Sequence, residues 1–133
     1  MQVDKEKNMY YYYNQTLDIC DCIYCRYFKE NIFQEHPSLA AYFSGSGIDI
    51  KSPFEVDLPY LNNDGKICYT SAQYIVFGRC EEDIITYIDG IEIIKSRNYP
   101  PTNIVEEHFV IELPLVVFEE PLDDDFKREM DLI

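Results

Sequence analysis

The sequence predicts an α+β fold, with a helical segment over about residues 22–44 and then an antiparallel sheet or small β-sandwich over about 54–118. Two observations carry this expectation. Apolar residues recur at helical spacing from Cys22 to Phe43, and after Gly47 the spacing switches to a period of two. The second half is then cut by turn residues into short β-rich runs with no helical stretches between them, which favours antiparallel strands over a doubly wound parallel sheet. At 133 residues the chain has the size of one domain and enough length to bury a core.

Taken in order, residues 1–8 and 119–133 read as flexible ends. Tyr10-Tyr11-Tyr12-Tyr13 is a β-favouring run, so residues about 9–13 are expected to form a short strand. From Cys22 to about Glu35, the residues Tyr24, Cys25, Phe28 and Ile32 fall on one stripe, while Arg26, Lys29, Glu30 and Gln34 lie opposite. His36-Pro37 interrupts this helix, and Pro37 opens a second one with Leu39, Tyr42 and Phe43 on its buried side. The Ser44-Gly45-Ser46-Gly47 stretch ends it.

Phe54-Glu55-Val56-Asp57-Leu58 alternates like a half-buried strand. Asn62-Asn63-Asp64-Gly65 is a turn, with Lys66–Thr70 returning from it and Gln73–Phe77 forming a further strand. Ile84–Ile88 and Ile91–Lys95 flank Asp89-Gly90, a pair suited to a type I′ turn. Phe109–Leu113 and Leu115–Phe118 flank Pro114, which predicts a sheet edge or a bend there.

Charge separates the two parts of the chain. The net charge is −14, of which residues 81–133 carry −11 (15 acids, 4 bases) and residues 1–80 carry −3 (10 acids, 7 bases). Such a surface repels nucleic-acid phosphate and anionic lipid, so neither is an expected partner. A basic protein partner is the expectation, with Glu119, Glu120, Asp123, Asp124 and Asp125 as its contact residues. No apolar run reaches the roughly 18 residues that a membrane span needs, and no signal-peptide pattern opens the chain, which predicts a cytoplasmic location.

Three of the five cysteines fall within six residues, at Cys20, Cys22 and Cys25. A Cys-x-x-Cys pair at a helix start is where thiol pKa values drop, which admits redox or nucleophilic chemistry. Cys20, Cys22 and Cys25 together with His36, or with Cys68 or Cys80, also make a conceivable zinc set. Structural zinc sites usually show two close-spaced cysteine pairs, however, and only one cluster is present. Buried reduced thiols are the simpler account, and no cofactor is expected. No phosphate-binding loop or nucleophile elbow occurs, and His36 and His108 have no catalytic partner in the sequence pattern.

Cys22-Ile23-Tyr24-Cys25-Arg26-Tyr27-Phe28, Gly47-Ile48-Asp49-Ile50 with Lys51, Pro53-Phe54-Glu55-Val56, and Leu113-Pro114-Leu115-Val116 together resemble a family of small uncharacterised proteins of Gram-positive bacteria. The resemblance covers most of the chain in pieces. It implies a single cytoplasmic α+β domain and no established activity, catalytic residue or cofactor. The functional expectation is therefore a non-enzymatic acidic binding protein that masks a basic partner, in the manner of an immunity protein. The alternative is a thiol-dependent or zinc-binding protein that uses the Cys20, Cys22 and Cys25 cluster.

Overall fold

A computed structural model describes residues 1–15, 22–120 and 124–130. The described elements run β1 (Gln2–Val3), α1 (Lys5–Asn14), α2 (Ile23–Glu35), α3 (Pro37–Gly45), β2 (Tyr60–Leu61), β3 (Ile67–Arg79), β4 (Ile84–Ile88), β5 (Ile91–Lys95), β6 (His108–Val117) and α4 (Asp124–Glu129). Every strand pairing is antiparallel, in the order β1-β3-β6-β5-β4, with β2 on the start of β3. The expected α+β class with an antiparallel sheet is what forms, and the sheet curls around the helices.

The long β3–β6 ribbon is its spine, paired from Cys68 with Val117 to Phe77 with His108. One interruption falls at Ser71 and Pro114. The register is the same on both sides of it, yet in both strands the core-facing positions change parity. Tyr69 gives way to Ala72, Tyr74 and Val76, and Phe109, Ile111 and Leu113 give way to Val116 and Phe118. Ser71 has a φ of +61°, and Pro114 has no N–H to lose, so the ribbon bends here without inserting a residue. β5 pairs with β6 only at Glu112 and Ile111, so the proline lies beyond the reach of a second neighbour. The sequence divides β3 and β6 into two strands each, and the structure joins each pair through the bend.

The tyrosine run is helical, contrary to the strand expected over residues 9–13. Asp4 caps α1 by accepting the Lys7 N–H at 3.0 Å. Asn8 and Tyr12 then lie one turn apart on the buried face, and Tyr12 donates to the Ile75 carbonyl at 2.7 Å. Tertiary contacts thus override the β preference of tyrosine. Residues 54–58 also depart from the expectation. Only Glu55 bridges to Gln73, and the stretch is otherwise irregular, with Leu58 exposed.

α2 and α3 form as the period predicts. They bury Phe28, Ile32, Leu39 and Phe43 against Tyr69, Tyr74 and Phe118, whose rings meet edge to face. α3 closes in a full Schellman motif. The Gly47 N–H donates to Ser44 and the Ile48 N–H to Phe43, each at 3.0 Å, with Ile48 and Phe43 buried together.

Candidate functional site

Cys22 is the N-cap of α2 and lies exposed, while Cys25 is half-buried one turn further on. They border a cavity of about 230 Å³ between the start of α2 and residues 51–58. Lys29, Lys51, Glu55, Asp57 and Tyr69 share its wall. Tyr69 crosses from the sheet to donate its hydroxyl to the Tyr24 carbonyl at 2.7 Å, which fixes the first turn of α2 on the core. Burial pushes the Tyr69 phenol far up, and the neighbouring Tyr27 and the two thiols add to that shift. Tyr24 donates in turn to the Met130 carbonyl, fastening the end of α4 to the same turn.

The other expected zinc ligands stand elsewhere. His36 is the C-cap of the 13-residue α2, which puts it roughly 20 Å along the axis from Cys22, whereas ligands sit about 2 Å from one ion. Its Nε2 meets the Val117 carbonyl at 2.8 Å, at an end of β6 that β5 does not reach. Cys68 and Cys80 are separated by the length of β3. The Cys68 thiol points to the Lys66 carbonyl, and Cys80 to the carbonyl and carboxylate of Glu82 at 3.4 Å. Burial and the Glu82 hydrogen bond raise the Cys80 thiol pKa. Cys20 lies outside the described residues, and among the described residues no three His, Cys, Asp or Glu side chains group around a point that suits a metal. His108 is engaged by Thr102 and by the Glu106 carbonyl, both at 2.8 Å.

The acids expected to contact a partner are distributed differently from the sequence picture. Glu119 pairs with Lys66 at 2.7 Å, Asp124 with Lys127 at 3.9 Å and Asp125 with Arg128 at 3.1 Å. Lys66 holds the Glu119 carboxyl below its usual range through their hydrogen bond and charge. Glu120 is exposed and has no cation partner among the described residues, and Asp123 lies outside them. Exposed pairs of this kind are held weakly and screened by solvent, so they compete little with a partner.

Two surfaces take a form that the sequence does not predict. Helical α1 exposes Met9, Tyr10 and Tyr13, and Met9 and Tyr13 with Phe33 flank a groove floored by Tyr12, Ile48 and Ile50. Only the helical periodicity of residues 5–14 could have shown it. The second is the β4–β5 hairpin, whose turn has positive φ at both Asp89 and Gly90, as type I′ requires. It ends the sheet with Ile84 and Tyr87 exposed and with acids before and within it. No helix among the described residues is long and apolar enough to cross a membrane. No protein-family model matches the chain, and no curated protein or solved structure matches it either.

Proposed function

We propose that this chain is a non-enzymatic binding protein that engages and masks a basic protein partner, as an immunity module does. The observation that carries the reading is the fate of the four bases in the acidic last third. Lys95 donates to the Cys80 carbonyl at 2.7 Å, Arg97 pairs with Asp83, Lys127 with Asp124 and Arg128 with Asp125. Each is occupied within the molecule, while Glu81, Asp89, Glu106 and Glu120 stand exposed with no cation partner among the described residues. The resulting negative field attracts a cationic surface and repels nucleic-acid phosphate.

The test is kinetic. The association rate of a basic partner captured and identified with this protein should fall steeply from low to physiological ionic strength, where the screening length shortens to about 8 Å. Neutralising Glu119, Glu120, Asp123, Asp124 and Asp125 together should flatten that dependence. A rate indifferent to salt and to these substitutions would remove the reading.

A second reading keeps the thiols, because Cys22 and Cys25 border one cavity with Lys29 at a helix start. It requires a native protein whose Cys22 reacts rapidly with an alkylating reagent well below pH 8, or one that retains about one equivalent of zinc when purified without chelator. Slow labelling with no bound metal would leave the binding reading alone.

A further inference from the structure

β4 is the last strand of the sheet, and no described strand lies on its outer side. Antiparallel geometry settles which of its backbone groups face outward. In a two-residue hairpin the pair flanking the turn, Ile88 and Ile91, exchanges both hydrogen bonds. The next pair, Tyr87 and Glu92, exchanges none, so the Tyr87 N–H and C=O point away from β5. Natural edges are usually blunted by lysine, by proline or by a bulge. β4 reads Ile-Ile-Thr-Tyr-Ile, with neither lysine nor proline, and its one irregularity lies between Ile84 and Thr86, leaving Tyr87 clear. Tyr87 is 58% exposed, and its hydroxyl donates to Glu92 across the hairpin at 3.0 Å.

Charge selects the occupant. Glu81, Glu82 and Asp83 precede the strand, Asp89 follows it in the turn, and Glu92 stands beside Tyr87. The nearby cations are engaged at one end, Lys95 by the Cys80 carbonyl, Arg97 by Asp83 and the Met1 ammonium by Glu82, which leaves Glu81 and Asp89 with no cation partner among the described residues. The edge is thus apolar at its centre and negative at both ends. A second copy of this chain would set the same acids against one another across a two-fold axis.

We infer that β4 receives an extended basic segment of the partner as an added strand. That segment exchanges hydrogen bonds with the Tyr87 backbone, and its Lys or Arg side chains reach Asp89 at one end and Glu81 to Asp83 at the other. The inference rests on the acidic-binding reading and gives it a place and a mode.

The probe is a short synthetic peptide of alternating lysine and valine, compared with the same peptide N-methylated on the amides of one edge and with a proline-interrupted peptide of equal charge. The alternating peptide should slow hydrogen exchange at the Tyr87 amide by about tenfold or more, and both control peptides should bind at least about tenfold more weakly. Tyr87→Pro should weaken binding similarly, because it removes an outward donor that the hairpin does not use. The N-methylated peptide makes the same test without altering the protein. Reversing Glu81 and Asp89 to lysine should weaken the alternating peptide too. If the N-methylated and proline peptides bind as well as the parent while charge reversal still weakens all three, strand addition is wrong and the acidic-binding reading survives. If charge reversal has no effect on any peptide, the edge is not the docking site and the inference falls; peptide binding that is indifferent to salt as well removes the acidic-binding reading too. Self-association that Tyr87→Pro abolishes would instead assign the edge to a second copy and overturn the inference.

Discussion

Asn8 shows what a single buried polar side chain does in this protein. It is fully buried, its amide donates to the Ser46 carbonyl at 2.9 Å, and its oxygen accepts the Phe77 N–H at 2.7 Å, so it joins α1, the end of α3 and β3. Asn8→Ala would strand a buried N–H and a carbonyl together, and we expect a loss of about 1–3 kcal/mol in denaturant unfolding. In the sequence Asn8 sits in a charged stretch that looks like a tail, because nothing local distinguishes a polar residue that bridges three elements from one that faces water. The cysteines illustrate the same limit. Their clustering at a helix start was legible, but the presence of Tyr69 across the cavity depends on a pairing set far along the chain.

Among the elements, those with strong local signals were readable. α2 announces itself by its stripe, α3 by Pro37 and Gly47, and the β4–β5 hairpin by Asp89-Gly90. α1 was not, since four tyrosines favour a strand until Asn8 and Tyr12 find partners on β3. The bend in β3 was hidden as well, because Thr70-Ser71 resembles a break between strands. Gly47 gives the sharpest test at this level. Its φ is +78°, and a Cβ there would lie 2.5 Å from the Lys5 carbonyl oxygen, so the position serves both the α3 cap and the seat of α1. Gly47→Ala should cost more than the ~1 kcal/mol of a simple left-handed substitution. Amide exchange should rise in α1 and at the end of α3 before it rises in β3.

At the level of the whole molecule, burial is the main cause that raises the phenol pKa values of Tyr12, Tyr69 and Tyr74, the first two being hydrogen-bonded to the Ile75 and Tyr24 carbonyls and the third to Ile50. The folded state therefore holds these protons more tightly than the unfolded chain. Their contribution is complete below the unfolded pKa of about 10 and is lost as pH rises beyond it toward the folded values. Each phenol adds a slope of about 1.4 kcal/mol per pH unit, so stability should fall by about 4 kcal/mol per unit once all three are engaged. Unfolding free energies measured across the alkaline range check this. Tyr74→Phe should lower stability at neutral pH by about 1 kcal/mol through its lost hydrogen bond and make the alkaline decline shallower by one proton. A decline as steep in Tyr74→Phe as in the parent would show that Tyr74 ionises freely in the folded protein.

The β3–β6 ribbon also sets the order in which the protein can assemble as it is made. Its partners lie from 31 residues apart, at Phe77 and His108, to 49 apart, at Cys68 and Val117, and β6 is the last strand to emerge. Phe28, Ile32, Leu39 and Phe43 leave the ribosome well before Tyr69, Tyr74 and Phe118, the rings that will cover them. The early helices must hold one another, or a chaperone must hold them, until Phe118 has emerged. Such non-local pairing places folding in the millisecond-to-second range rather than among fast helical bundles. Released chains truncated before His108 should accordingly remain protease-sensitive, and those that extend beyond Phe118 should become resistant.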